Sequence, residues 1–325
     1  MYSLIIESSK ESVSKVQKAK NFFASQWDSI KRSKYLLLIL FPGLLYYIIF
    51  DYAPLYGIII AFKDFNFFDG VIGSPWADKN GMGHFIELFS SAGFYKLLWN
   101  TVILSIYQII FYFPTPIILA LSLNEVKNGL WKRIVQTVSY LPHFISTVVI
   151  CGMIYNFLSL NGVINQIIAF LGLEKIQFLL MPEYFRSIYI TTDIWQKIGW
   201  GSIIYLASLS GVDTSLYEAA KMDGANRWHQ IIHINIPAII PTAIVLLIFS
   251  IGGIMTSGFE KVLLLYNPNT YETADVIGTY VYRRGILGAE FSFTTAVGLF
   301  QSIIGFIMIL GANRMAKKVS EISLW

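Results

Sequence analysis

Cysteine and charge are both scarce in this sequence. Cys151 is its one cysteine and lies in an apolar run, so the chain cannot form an intrachain disulfide, and we interpret Cys151 as a small buried side chain. Charged residues make up 14% of the 325 residues, hydrophobic residues make up 55%, and the mean hydropathy is +0.58. A single soluble core cannot bury that much apolar surface. The composition therefore predicts a polytopic membrane protein.

The sequence also lacks the motifs of a nucleotide or metal site. It contains no GxxxxGKS or GxxxxGKT segment, so the chain has no phosphate-binding loop of that type. No group of Cys and His has the spacing of a zinc site, and His229 and His233, although four residues apart, have no third ligand beside them. We expect neither a metal nor a cofactor in this chain. The formal net charge of +4 does not indicate a nucleic-acid partner.

Apolar runs of about 20 residues, the length that crosses the hydrocarbon core of a bilayer, recur along the chain. They predict an all-α integral membrane protein with six transmembrane helices, forming one domain over residues 35–325. A polar, lysine-rich cytoplasmic N-terminal arm, residues 1–34, precedes them. This arm either contacts a partner subunit or lipid headgroups, or is a solvated tail that enforces topology. The predicted spans are residues 35–52, 101–123, 134–158, 187–208, 238–257 and 293–312.

The distribution of Lys and Arg predicts which side of the membrane each loop faces. Of the 24 basic residues, 15 fall on the side that holds both termini and the loop between spans four and five, and 8 fall on the other side. The remaining one, Lys197, lies within span four. Because basic residues are enriched in cytoplasmic loops, we expect both termini to be cytoplasmic.

A polar stretch, residues 213–237, interrupts the apolar runs on the predicted cytoplasmic side. Asp213 can cap the start of a helix, and Gly224 can adopt the positive φ at which a helix ends. A second short helix can run from Trp228 to His233, and prolines then mark the entry to the next apolar run. The stretch therefore predicts a helix, a hinge and a second helix, offered to a soluble partner.

This stretch resembles the EAA signature of ABC importer permeases. The residues that carry the resemblance are Glu218, Ala219, Ala220, Asp223 and Gly224. The resemblance implies a coupling helix seated in a groove of a cytoplasmic ATPase subunit. It also implies that two such ATPase subunits bind the ATP and Mg, that a second homologous permease completes the pathway, and that an extracytoplasmic solute-binding protein delivers the cargo.

Across the whole chain the sequence is similar to the carbohydrate-uptake class of these permeases, and within it to the larger permease of polysaccharide and alginate importers. This similarity implies a multi-pass protein of the bacterial cytoplasmic (inner) membrane, surrounded by membrane lipid. It implies uptake of oligosaccharides or polysaccharides, such as alginate or its oligosaccharides, by a transport subunit that is not an enzyme. The alternative is an ion-gradient-driven secondary sugar transporter, which predicts internal inverted repeats, and we find no such repeat in the sequence.

Polar and aromatic residues in spans two and four are candidates for the translocation pathway. Four of them are spaced i, i+3, i+4 and i+7 in span four and so share one face of a helix. Ionisable groups at membrane depth cost a few kcal/mol unless they pair or meet water, so we expect this face to line the pathway. An ion pair that only joins packed helices is the alternative. The candidates are Asp193, Gln196, Lys197 and Trp200 in span four, and Tyr107, Gln108 and Tyr112 in span two.

Overall fold

The computed structural model describes residues 33–126, 129–256, 258–320 and 324. Its regular elements are helices, and within those residues β pairing is limited to an isolated antiparallel bridge between Lys63 and Trp76. The predicted all-α integral membrane fold is thereby confirmed. The predicted N-terminal arm, residues 1–34, lies outside the described residues except for its last two positions. Its boundary with the membrane domain at residue 35 stays a prediction.

The described residues divide into two units, with the boundary between residues 59 and 60. In the first unit, helix α1 covers Lys34–Tyr47, and a π-helical turn at Ile48–Tyr52 follows it. A 3-10 stretch then covers Ala53–Phe62. The 29 residues Lys34–Phe62 are together long and apolar enough to cross a membrane. The predicted first span is therefore present, and its helical stretch extends to Phe62.

Short helices and the second span follow. The short helices are Gly70–Gly73 (α2), Asp78–Gly81 (α3) and Gly83–Ser90 (α4). Helices α5, Phe94–Tyr107, and α6, Pro114–Glu125, are joined by a π-helical turn at Gln108–Tyr112. The turn lies just before a proline, which has no N–H to continue the helical hydrogen bonds. The resulting 32-residue stretch Phe94–Glu125 contains the predicted second span.

The predicted third span, residues 134–158, is wrong as a single helix. Helix α7 covers Leu130–Tyr140, a 3-10 turn covers Leu141–Phe144, and helix α8 covers Thr147–Leu158. Pro142 lies in the turn. Because proline removes a helical donor and its ring crowds the preceding turn, the helix breaks there.

The chain resumes its helix at Ser146, whose Oγ accepts a hydrogen bond from the backbone N–H of Val149 at 3.4 Å. Helix α9, Val163–Phe170, follows α8 after a short turn. The stretch that is long and apolar enough to cross a membrane is Thr147–Phe170. The third span therefore begins after the proline and not before it.

Helix α10, Pro182–Ser210, holds the predicted fourth span and is 29 residues long. At a rise of about 1.5 Å per residue, such a helix can cross a bilayer. Asp193, Gln196 and Lys197 interrupt its apolar residues, and it is not among the five helices of the described residues that are both long and apolar enough to cross. The length of α10, and not its hydropathy, therefore supports counting it as the fourth of six spans.

The coupling loop and the last two spans complete the chain. The loop contains α11, Thr214–Met222, and α12, Arg227–Gln230, and a π-helical turn at Ile231–Asn235 joins α12 to α13, Ile236–Gly252. Span five thus ends at Gly252 and not at the predicted residue 257. The α-helices that follow are Phe259–Leu265 (α14), Tyr271–Ala274 (α15), Ile277–Val281 (α16) and Phe291–Ser320 (α17), with a π-helical turn at Tyr282–Leu287 after α16. Helix α17 contains the predicted sixth span.

Three clusters of buried side chains pack the helices of the second unit together. The first joins α5, α8, α10 and α14 and contains Cys151, in the buried position predicted for it. The second joins α4, α5, α16 and α17, and the third joins α6, α10 and α13. Inside a bilayer, close packing rather than exclusion of water holds helices together. Since α10 belongs to two clusters, its polar face is held in a fixed position.

Candidate translocation site and coupling loop

Asp193 is the centre of an ion cluster on α10. Its side chain is 2% exposed, and its Oδ1 accepts hydrogen bonds from the Nζ atoms of Lys197 and Lys261, each at 2.9 Å. Lys197 lies one turn along the same helix, as the spacing predicts, whereas Lys261 lies on α14. A buried carboxylate is costly unless it is paired, and the two ammonium groups provide the pairing. With both amines protonated, the cluster carries one net positive charge.

Gln108 and Tyr189 extend this polar centre. The Nε2 of Gln108 donates to the Tyr189 hydroxyl at 3.0 Å and lies 3.4 Å from the Oδ2 of Asp193. Gln108 is the first residue of the π-helical turn in span two. The Nζ of Lys261 lies 5.7 Å from the centroid of the Tyr189 ring, a cation–π distance. Span two, span four and α14 therefore meet at one polar centre.

A cavity of about 150 Å³ opens beside the ion cluster. Its polar lining residues are Ser105, Gln108, Tyr112, Asp193, Lys197 and Ser250. The Lys197 side chain is 42% exposed, so its ammonium can meet a molecule in the cavity, whereas the Lys261 side chain is 5% exposed. Four of the seven predicted pathway residues are thus brought together here.

Trp200 lies at a neighbouring cavity of about 460 Å³, which it shares with Tyr112. The indole stacks on the His143 imidazole, with ring centroids 4.5 Å apart and planes 3° apart, and Phe144 meets it edge-on at 5.7 Å. His143 and Phe144 belong to the 3-10 turn that breaks the predicted third span. The turn that breaks the third span therefore supplies the aromatic partners of Trp200, which is also a predicted pathway residue.

The other two predicted pathway residues face protein. Gln196 is buried, and its Nε2 lies 3.5 Å from the carbonyl oxygen of Ile145, at the break between α7 and α8. Tyr107 packs against the first core cluster, and its ring meets that of Phe111 edge-on at 5.6 Å. Neither residue is in the lining of the two cavities. The structure does not bring these two residues to the ion cluster's cavity.

Helix α11, the predicted coupling helix, begins where the sequence predicts. The Oδ1 of Asp213 accepts a hydrogen bond from the backbone N–H of Ser215 at 2.9 Å, which caps the first turn. The same hydrogen bond lowers the pKa of the Asp213 carboxyl, because it favours the charged form. The residue type at position 213 therefore sets the start of the helix.

Helix α11 also ends where the sequence predicts. Gly224 has a φ of +78°, in the left-handed region. The backbone N–H of Ala225 donates to the carbonyl of Ala220 at 2.9 Å, and that of Gly224 donates to the carbonyl of Lys221 at 3.1 Å. This pair of bonds is the Schellman arrangement, which satisfies carbonyl groups at the end of a helix.

The five predicted coupling residues lie at the surface of the loop. Glu218, Ala219, Asp223 and Gly224 are exposed and Ala220 is partly exposed. Beyond them, Asn226 starts α12 by accepting a hydrogen bond from the backbone N–H of His229 at 3.0 Å. The predicted second helix is present, but it is longer than predicted, because α12 continues through the π-helical turn into span five.

A partly buried polar contact joins α11 to spans two and five. The Tyr217 hydroxyl bonds to the Oδ1 of Asn235, and the Nδ2 of Asn235 lies 3.4 Å from the Oε1 of Glu125. Asn235 is fully buried, and burial raises the pKa of Tyr217, so the hydroxyl stays protonated and can donate. Sequence reasoning does not single out these three residues, because their contact joins segments far apart in the chain.

Sequence reasoning also misses Lys261. Its position in a predicted outer connection gives no reason to pair it with span four, and the one local signal is a lysine inside the apolar segment Phe259–Leu265. The Lys261 side chain is 5% exposed, and its Nζ lies 2.9 Å from the Oδ1 of Asp193. The ion pair with Asp193 is therefore what supports a charged amine at this depth.

Comparisons with known proteins agree with this architecture. The model of the family described as "binding-protein-dependent transport system inner membrane component" matches residues 91–321. The polygalacturonan/rhamnogalacturonan transport system permease protein YteP of Bacillus subtilis (strain 168) is 47% identical over 291 residues, which cover 89% of this chain and 90% of that protein.

Two solved structures are also similar. One is a bacterial ABC transporter involved in the import of the acidic polysaccharide alginate, with a TM-score of 0.83 and 42% identity over 90% of this chain and 99% of that chain. The other is a bacterial alginate ABC transporter in complex with an alginate pentasaccharide-bound periplasmic protein. It has the same TM-score of 0.83 and 42% identity, over 92% of this chain and 99% of that chain.

Proposed function

Because the chain belongs to the family of binding-protein-dependent transport system inner membrane components and is a permease subunit of a sugar or polysaccharide ABC importer, we propose that its cargo is an acidic oligosaccharide. The observation that carries this proposal is the ion cluster, in which one carboxylate faces two lysines beside a polar cavity. A hydrogen bond between an ammonium and a carboxylate contributes about 1.5–3 kcal/mol. Lys197, which reaches the cavity, can supply that bond.

The named cargoes of the relatives support the same chemistry. Polygalacturonan, in the name of the Bacillus relative, and alginate, in the descriptions of the two structures, are polymers of uronic acids and carry carboxylates on their sugar rings. Fragments of such a polymer present hydroxyls for Gln108 and Tyr112 and carboxylates for Lys197. Trp200 offers an aromatic surface for sugar stacking at the neighbouring cavity.

We also propose that this chain works with the other subunits of an importer. A second homologous permease would complete the pathway, two cytoplasmic ATPase subunits would bind ATP and Mg and hydrolyse the ATP, and an extracytoplasmic solute-binding protein would deliver cargo. We infer a bacterial inner-membrane location, surrounded by lipid, with both termini in the cytoplasm. We propose that this chain itself binds no cofactor and catalyses no bond breakage.

The coupling loop would transmit the ATPase cycle to the pathway. Closure of the ATPase pair would move α11 with the groove in which it sits. The contacts of α11 with spans two and five, through Tyr217, Asn235 and Glu125, would carry that motion into the spans of this permease. The cavity would then exchange between inward-facing and outward-facing states.

The test is uptake by the complete complex in proteoliposomes, with its binding protein, for Lys197→Met. The probes are trigalacturonate and its methyl ester, which keeps the sugar rings and hydroxyls but removes the charges. Because the charge-assisted bond is lost, kcat/KM for trigalacturonate should fall about tenfold or more, and kcat/KM for the ester should fall less than about threefold. Each value is divided by that of the wild-type permease, so that the preference of the binding protein cancels.

Two variants control this experiment. Lys197→Arg keeps a cation and should retain the preference for the acidic probe. Lys317→Met removes an exposed lysine far along α17, outside the cavity lining, and should leave both probes unaffected. If Lys197→Met transports both probes as well as the wild type, in a complex that is intact on a sizing column, Lys197 does not bind the cargo.

A further inference from the structure

We propose that Lys261 is a positioning residue that neutralises Asp193 and thereby leaves Lys197 free to bind a carboxylate of the cargo. This rests on the proposed function, since it takes an acidic oligosaccharide as the cargo. Lys197 and Lys261 are bound to the same oxygen, Oδ1 of Asp193, and each Nζ lies 2.9 Å from it. One carboxylate oxygen is therefore shared between two cations.

The two lysines differ in how freely they can leave Asp193. The Lys197 side chain is 42% exposed and lines the cavity, whereas the Lys261 side chain is 5% exposed and is not in that lining. A cargo carboxylate can therefore reach Lys197 and cannot reach Lys261 from the cavity. Because like charges repel, Lys261 also weakens the hold of Asp193 on Lys197.

Helix α14 fixes Lys261 in this position. The next residue, Val262, is fully buried in the first core cluster together with Tyr189, and the Lys261 ammonium lies over the Tyr189 ring. Just before the helix, Gly258 has a φ of +85°, and a Cβ at that position would lie 2.7 Å from the Tyr189 hydroxyl. The backbone before α14 is thus closely fitted to Tyr189, which holds the lysine against Asp193.

The arrangement lets Lys197 change partner without leaving a buried charge alone. If Asp193 had Lys197 as its one cation, transfer of Lys197 to the cargo would leave a carboxylate uncompensated in a buried site. With Lys261 in place, Asp193 remains paired after the transfer. Asp193 therefore holds Lys197 when no cargo is bound, and an acidic cargo can take over the Lys197 ammonium.

The experiment measures KM and kcat for trigalacturonate and its methyl ester in the reconstituted complex. In Lys261→Met, Asp193 should hold Lys197 more tightly, so KM for trigalacturonate should rise about tenfold while kcat and the kinetics of the ester change less than about threefold. Lys261→Arg should behave as the wild type, because it retains the cation. The double variant Lys261→Met with Asp193→Asn removes the competing carboxylate, so KM for trigalacturonate should return to within about threefold of the wild-type value.

The double variant separates positioning from a purely structural role, and it serves as the decisive test if Lys261→Met alone does not assemble. An equal loss for both probes in Lys261→Met, or a double variant that assembles but has lost its preference for trigalacturonate over the ester, overturns the proposal. Failure here is distinct from failure of the proposed function. If Lys197→Met abolishes the acidic preference and Lys261→Met leaves it intact, the cargo assignment stands and the role of Lys261 is wrong.

Discussion

The two lysines at Asp193 differ in energetic role because they differ in burial. Exposed ion pairs contribute about 0–1 kcal/mol, whereas removal of one partner from a buried pair costs about 3–5 kcal/mol. The pair with Lys197, whose side chain is 42% exposed, lies nearer the first case, and the pair with Lys261, which is 5% exposed, lies nearer the second. Sequence reasoning leaves two alternatives open for Lys197, a structural ion pair and a pathway cation. We propose that Lys261 forms the structural ion pair and that Lys197 is the pathway cation.

Gly224 sets the end of α11, the proposed coupling helix. A β-branched residue at its φ of +78° costs about 1 kcal/mol or more, and among the described residues no atom lies within 4 Å of the position that a Cβ would take. The cost of Gly224→Val therefore comes from the backbone and not from crowding. We expect Gly224→Val to lose cargo-stimulated ATPase activity in the reconstituted complex while the chain still inserts into the membrane.

Two further variants define this prediction. Gly224→Asn should retain most activity, since asparagine tolerates the left-handed region. Gly211→Ala, at a nearby glycine with a φ of −85°, should have no effect. Full cargo-stimulated ATPase activity in Gly224→Val would contradict the assignment of α11 as the coupling helix.

At the scale of elements, hydrogen bonds among Tyr217, Asn235 and Glu125 attach α11 to spans two and five. Tyr217→Phe removes the hydroxyl that bonds to Asn235 and leaves a buried amide oxygen without that donor, at a cost of about 1–3 kcal/mol. The looser attachment should lower the amount of cargo moved per ATP hydrolysed. The measurement is the ratio of uptake to ATPase activity in proteoliposomes.

Thr214→Ala is the matched control, because Thr214 is exposed in the first turn of the same helix. It should leave the ratio unchanged. If Tyr217→Phe also transports at the wild-type ratio, motion of α11 reaches the spans by another route, and the contact with Asn235 only stabilises the fold.

How far the sequence predicts these elements depends on the distance over which each signal acts. Asp213 and Gly224 act on backbone groups within a few residues, so the bounds of α11 follow from the sequence. At Pro142, a local helix breaker competes with a long apolar run, and the sequence does not show which one prevails. The contact between Asp193 and Lys261 depends on the packing of α10 against α14, which no local pattern contains.

At the scale of the whole molecule, the distribution of basic residues remains the basis for its orientation. Of the 24 lysines and arginines, 15 lie on the predicted cytoplasmic side. Lys261, counted on the opposite side, lies at a buried ion cluster and not in a loop, so it carries little weight in that count. Removing it from the outer side strengthens the bias toward cytoplasmic termini.

Cysteine labelling tests this orientation directly, in a chain whose own Cys151 is changed to Ala. Met222 is 89% exposed at the end of α11, and Asn269 is exposed between α14 and α15, so a cysteine at either position is accessible without removing a helix cap. An impermeant thiol reagent should label Met222→Cys from the cytoplasmic face alone and Asn269→Cys from the outer face alone. Since the two positions are separated by span five, labelling of both from the same face would contradict the six-span topology. Labelling of Met222→Cys from outside and Asn269→Cys from inside would instead keep the spans and invert the predicted orientation, which would separate the coupling loop from any cytoplasmic ATPase.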